Sequence, residues 1–337
     1  MTPDHDRRGI AVSAVTRHDI VNTSRQAEEA GARFKNQRLQ VGDAHVGPLA
    51  HLATEREYLR SLTWAHFTVK PLGATVGAII GGIDITKPLS DTVIDEIRRV
   101  LAAYKVIFFR DQPLTPQQHV DFARRFGELE LHPFLASNGD MPELVRFTKS
   151  AEVGGYENLW HHDVTWREVP SMGAVLHAVQ VPESGGDTLF CDMYAAYDGL
   201  PDDVKERIDT MTATHDFMPS FGKNVKDPDM LAKMRIEYPI QHHPVAPTHP
   251  VTGRRYLYVN RNFCTGFDGL AEEEGMKLRE YLCRQSDTLE FQCRFHWEKD
   301  SVAFWDNHAV QHYAASDYWP DVRIMERASI VGHKPFQ

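Results

Sequence analysis

Cysteine is scarce: Cys191, Cys264, Cys283 and Cys293 are the only four in a chain of 337 residues. None forms a C-x-x-C pair, which argues against a zinc knuckle or a redox dithiol. Four widely spaced thiols fit a reducing cytoplasm better than a disulfide framework. Long apolar runs are missing as well. No stretch approaches the ~18 residues that cross a bilayer. The short run from Gly9 to Val15 is broken by Ser13 and preceded by mixed charges, so it does not read as a signal peptide. A basic stripe is also lacking. The net charge is −10, and binding along nucleic acid needs the opposite sign. Neither a membrane nor a nucleic acid is therefore expected as partner. A small anion remains possible wherever a few Arg and His side chains converge.

What is present has the balance of a globular protein, 42% hydrophobic and 25% charged, with 22 Gly and 19 Pro that imply many turns. Residues 1–65 are polar and without periodicity, and read as an extension, partly helical or disordered. The core is expected over 66–337. It opens with the β-type runs His66-Phe67-Thr68-Val69, Ala78-Ile79-Ile80 and Ile83-Asp84-Ile85. Val93, Ile97, Val100, Leu101 and Tyr104 then fall at helical spacing, with Ser90 or Asp91 as cap. Val106-Ile107-Phe108-Phe109 reads as a buried strand. A second helix starts at Thr115, with Pro116 at its first position, Gln118 closing a capping box and Gly127 as its end. From Leu144 onward short strands alternate with turns, and helical inserts fall near 202–210 and 271–284. The pattern predicts a mainly β fold with flanking helices, a double-stranded β-helix or jelly roll of the cupin-like kind.

The chemistry begins at Leu159-Trp160-His161-His162-Asp163-Val164-Thr165-Trp166. On an extended segment His161 and Asp163 point to one side and His162 to the other. A His and a carboxylate so placed can share one metal ion. His312, after the apolar strand Val302-Ala303-Phe304-Trp305, is the candidate for a third ligand. Two imidazoles and a carboxylate with open positions form the face used by non-haem Fe(II) oxygenases. Arg323 and Arg327 lie on one face of a further strand, with Ile324 turned away. Two inward cations are costly unless anions meet them. His242-His243 lacks a carboxylate at matching spacing and sits beside Pro244, so a loop or strand-edge role is expected.

These blocks resemble those of the taurine/α-ketoglutarate dioxygenase (TauD/TfdA) family, over roughly residues 66–337. The resemblance is carried by Trp160 to Thr165, Gly185-Gly186-Asp187-Thr188-Leu189, Trp305-Asp306-Asn307, Gln311-His312-Tyr313 and Arg323-Ile324-Met325-Glu326-Arg327, in the family's order. It implies an oxidoreductase using Fe(II), 2-oxoglutarate and O2. Such an enzyme hydroxylates a small anionic substrate and releases succinate and CO2. His161, Asp163 and His312 would bind iron, while Arg323 and Thr188 would hold 2-oxoglutarate. Arg327 and His132 would face the acidic group of the substrate, with Phe221 and Phe263 lining its pocket.

The chain departs from the taurine enzyme at Leu135, where that enzyme has a pocket tyrosine, and at Glu157, where it has an asparagine. His308 replaces the arginine usual after Trp-Asp-Asn. Leu135 favours a less polar substrate and Glu157 a cationic group, so sulfonates, sulfate esters, aryloxyacids and amino-acid-like acids all stay open. Two readings from other classes stand beside this one, a zinc hydrolase on the same metal face and a non-catalytic jelly-roll binding or sensor protein. Homo-oligomerisation is left open.

Overall fold

The computed structural model describes residues 49–337 apart from 134, 136, 140 and 156. Most of the N-terminal stretch read as an extension lies outside the described residues. The chain divides into two compact units, Met1–Thr63 and Trp64–Gln337. In the first, His51–Ser61 forms helix α1. All elements below belong to the second.

Strands β1 (Thr68–Pro71) and β2 (Ala78–Gly81) pair antiparallel, and β2 runs parallel to β3 (Val106–Phe109). Helix α2 (Asp91–Tyr104) makes the crossover between them. Ser90 caps it, accepting from Val93 N, and Ile94, Ile97, Val100, Leu101 and Tyr104 form its buried stripe. Ile94 therefore takes the buried place expected for Val93, which lies at the stripe's edge and is half-buried. Helix α3 (Pro116–Arg124) begins with the complete Thr115/Gln118 capping box. It stops at Arg124, three residues before the expected Gly127. That glycine serves close packing instead, since a Cβ there would meet Ile330 Cγ2 at 2.7 Å. Ile83-Asp84-Ile85 is not a strand either. Asp84 Oδ1 accepts from Thr86 N and Thr86 Oγ1, a local turn that competes with sheet pairing.

The remaining strands are β4 (Ser137–Asn138), β5 (Met141–Lys149), β6 (Gly173–Gln180), β7 (Thr188–Asp192), β8 (Thr212–His215), β9 (Gln241–Pro244), β10 (Cys264–Phe267), β11 (Gln292–Phe295), β12 (Val302–Asp306), β13 (Val310–Ala314) and β14 (Arg323–Ile330). Eight form one sheet in the order β1-β2-β3-β12-β6-β14-β5-β4, and a smaller sheet runs β11-β7-β13. Phe108, Ala174, Ala303, Trp305 and Met325 from the large sheet pack with Phe190, Phe295 and Val310 from the small one. The two layers thus share one core, as a jelly roll requires. A third sheet, β10-β8-β9, leaves β9 at an edge. No described helix is long and apolar enough to cross a membrane.

Candidate active site

The segment after Trp160 joins the small sheet through a single bridge. His161 N donates to His312 O at 3.1 Å and His312 N donates back to His161 O at 2.9 Å. This pairing sets the two rings 4.2 Å apart. Beyond it the backbone turns sharply, with Val164 at φ +47°, a region costly for a β-branched residue. Asn307 holds the turn. Its Oδ1 accepts from Asp163 N at 2.7 Å, and its Nδ2 donates to Asp163 O at 3.0 Å and Ser171 O at 3.1 Å. The result brings one ligand atom each from His161, Asp163 and His312 within 4.8 Å of one another.

The protonation states suit a divalent cation. His161 Nδ1 donates to Leu159 O at 2.7 Å, which fixes the tautomer and leaves Nε2 as the lone-pair nitrogen. Burial, aided by the neighbouring His161, pushes His312 down to about 3, so its imidazole is neutral. Burial works against a charge on Asp163, but Arg327, His312 and His161 together hold its carboxyl below the usual carboxylate range. Arg327 Nη1 donates to Asp163 Oδ1 at 3.0 Å. Asp163 Oδ2 and His312 Nδ1 are buried without a hydrogen-bond partner, so the donor set fits a metal ion.

Among the described residues a second group, His119, His177 and Glu326, shows similar spacing. Its charge is already balanced, because Glu326 Oε1 accepts from Arg146 at 2.6 Å and Asn138 at 2.7 Å. His119 Nε2 meets Val175 O at 2.9 Å.

Two cavities open beside the first triad. The smaller, about 80 Å³, is walled by Thr188, His312, Arg323, Arg327, Lys149 and Trp305 among others. Arg323 is buried, and its Nε and Nη2 have no hydrogen-bond partner. Tyr318 and Trp297 flank its guanidinium, with ring centroids 5.8 and 5.9 Å away. Gly186, at φ +69°, lets the chain pass close behind, since a Cβ there would lie 3.3 Å from Arg323 Cδ. Trp297 Nε1 donates to Thr188 Oγ1 at 2.9 Å, which leaves the hydroxyl proton of Thr188 to donate elsewhere.

The larger cavity, about 440 Å³, is lined by His132, Leu135, Asp163, Phe221, Phe263 and Lys223 among others. Phe147, Glu157, His161 and Arg327 line both. Burial pushes His132 down to about 3, and its Nδ1 accepts from Leu135 N at 3.2 Å. Phe221 and Phe263 stack 6.3 Å apart and also pack on Val164 and Trp166.

The structure thus brings every residue expected to bind metal, 2-oxoglutarate or substrate to one region. Glu157 differs from expectation in its partner, for its Oε1 lies 2.7 Å from Lys149 Nζ. His162 is fully buried on the opposite side, its ring 4.7 Å from Tyr258. His243 is on the edge strand β9, with Nε2 3.0 Å from Thr165 O, and lines neither cavity. His308 is buried, 3.0 Å from the Tyr256 hydroxyl. Sequence reasoning missed Lys149, Trp297 and the clamping role of Asn307. The available signal for Lys149 was its place on the inward alternation of Val145-Phe147-Lys149.

Comparison with known proteins places the chain in a family. The chain is 32% identical over 274 residues to an alpha-ketoglutarate-dependent sulfate ester dioxygenase of Pseudomonas putida, covering 79% of this chain and 90% of that protein. It is 32% identical over 265 residues to an alpha-ketoglutarate-dependent 2,4-dichlorophenoxyacetate dioxygenase of Cupriavidus pinatubonensis, covering 72% and 90%. A taurine dioxygenase structure from Burkholderia xenovorans superposes with a TM-score of 0.70 at 34% identity, over 80% of this chain and 91% of that one. The family described as "Taurine catabolism dioxygenase TauD, TfdA family" matches residues 68–329. The chain belongs to the TauD/TfdA family and is an alpha-ketoglutarate-dependent dioxygenase, an oxidoreductase that uses Fe(II), 2-oxoglutarate and O2.

Proposed function

We propose that His161, Asp163 and His312 hold Fe(II), that Arg323 and Thr188 hold 2-oxoglutarate in the smaller cavity, and that the larger cavity takes a sulfate ester or aryloxyalkanoate. The observation carrying this reading is a three-ligand face beside a buried guanidinium with two free nitrogens. Bound together, iron and 2-oxoglutarate supply the oxidative decarboxylation that yields succinate, CO2 and a hydroxylated product.

The protein's own residues position the reactants. The planar Arg323 fork meets a carboxylate with two parallel hydrogen bonds, and Thr188 adds a third donor. Arg327 and His132 face the acidic group of the substrate, while Phe147, Phe221, Phe263 and Leu135 cover its apolar body and exclude water. Relatives acting on sulfate esters, alkyl sulfates and phenoxyalkanoates support this substrate class. A zinc hydrolase would leave Arg323 and Thr188 without a task, and a silent binding protein would not need the triad. The four cysteines are free and buried, which supports the reading of a reducing cytoplasm.

The test is O2 consumption and succinate release across alkyl sulfates, sulfonates, aryloxyacids and amino acids. Stimulation by the first or third class is expected. Arg323→Ala should raise the KM for 2-oxoglutarate about thirtyfold or more, the cost of losing one partner of a buried charge pair. An unchanged KM would refute the assignment.

A further inference from the structure

We propose that the Lys149–Glu157 pair is a specificity element that keeps amine-bearing anions out of the larger cavity. The inference rests on reading that cavity as the substrate chamber. Lys149 ends β5 directly across from Arg323 on β14, and its side chain is 8% exposed. Its Nζ lies 2.7 Å from Glu157 Oε1, and Glu157 stands in the wall of both cavities. A carboxylate in a pocket wall would recruit an ammonium group from a ligand. Here the protein supplies that cation itself.

An incoming ammonium must displace Lys149 Nζ and strand a buried charge beside Arg323, which is strongly unfavourable. The balance of fixed charge points the same way. Among the side chains that line the two cavities, Lys149, Arg323 and Arg327 outnumber Glu157 and Asp163 by one cation, while Lys223 is exposed and water-screened. Fe(II) and the 2-oxoglutarate dianion cancel each other. That lining favours a monoanionic substrate over a zwitterion. The two sequence cues that pulled apart, Leu135 and Glu157, are reconciled: both favour an anion with an uncharged body.

The test titrates hexyl sulfate, phenoxyacetate and taurine calorimetrically into the full-length protein loaded with Mn(II) and saturating 2-oxoglutarate, so the readout is binding rather than turnover. Wild type should prefer hexyl sulfate. Lys149→Met, which releases Glu157, should shift the affinity ratio toward taurine at least tenfold, and Lys149→Arg should restore the wild-type ratio. Glu157→Gln should leave taurine rejected. A ratio unmoved by Lys149→Met in a protein that still binds hexyl sulfate would overturn the specificity element alone. Failure of wild type to bind either hexyl sulfate or phenoxyacetate would overturn the chamber reading, and the element with it.

Discussion

Replacing Asn307 with alanine removes three hydrogen bonds at a residue with no solvent exposure. It leaves Asp163 N–H, Asp163 C=O and Ser171 C=O buried without that partner. At about 1 kcal/mol for each neutral bond, and more where a buried group stays unsatisfied, the loss is about 3–5 kcal/mol. The same bonds hold Val164 at φ +47°, a conformation that costs about 1–2 kcal/mol. In the native protein the bonds outweigh the strain. Without them the balance reverses, the turn relaxes, and Asp163 swings away from His161 and His312. Metal affinity should then fall about 10–100-fold, the usual cost of losing a group that orients a ligand.

Two measurements check this reasoning. Urea denaturation of the metal-free protein gives the stability term, and anaerobic Fe(II) titration gives the affinity term. Asn307→Asp is the useful companion, since it keeps an acceptor for Asp163 N but sets a second acceptor against two carbonyls. It should lose about as much as alanine. If Asn307→Ala loses less than about 1 kcal/mol and binds Fe(II) as tightly as wild type, the turn is self-supporting and the argument fails.

Further outcomes follow from buried groups elsewhere. Burial lowers His119 from its ordinary 6.5 to about 4, so between those values the unfolded chain binds a proton that the folded one does not. Its contribution is full above pH 6.5 and is lost as pH falls to about 4, amounting to ~3 kcal/mol. The stability difference between wild type and His119→Gln should shrink by that amount across the window, and a pH-independent difference would contradict it. Trp297→Phe removes the donor to Thr188 Oγ1 and should raise the KM for 2-oxoglutarate about three- to tenfold, worth ~1 kcal/mol, with little change in kcat. A KM equal to wild type would mean that Trp297 does not orient Thr188.

Local signals were legible in the sequence because their causes are local. The Thr115/Gln118 capping box and the Ser90 cap are contacts within four residues, and both form as read. The candidate metal face was also legible, since His161 and Asp163 sit within one motif and His312 lies in the strand that follows the apolar run Val302–Asp306. Other features depend on which strand lies beside which. Lys149 becomes a site residue only because β5 pairs with β14 in a register that sets it opposite Arg323. Trp297 reaches Thr188 because β11 pairs with β7. Glu157 looked available for a ligand until that same β5 pairing brought Lys149 to it. At Ile83-Asp84-Ile85 the β-branched pattern misled, because the Asp84 side chain satisfies a turn that the apolar residues flanking it do not announce.

Strand β14 carries a different message on each side. Arg323, Met325 and Arg327 face the small cavity, while Glu326, buried on the opposite face of the sheet, takes hydrogen bonds from Arg146 and Asn138. In a strand a slip of one residue exchanges the two faces completely. Such a slip would aim a carboxylate at the co-substrate and thrust two guanidinium groups out of the barrel. Glu326 and its partners therefore act as a ratchet pawl: they touch no reactant, yet they decide which charge the reactants meet. A one-residue slip of this strand would turn the pocket inside out without moving any of His161, Asp163 and His312 along the chain, since none of them lies on it.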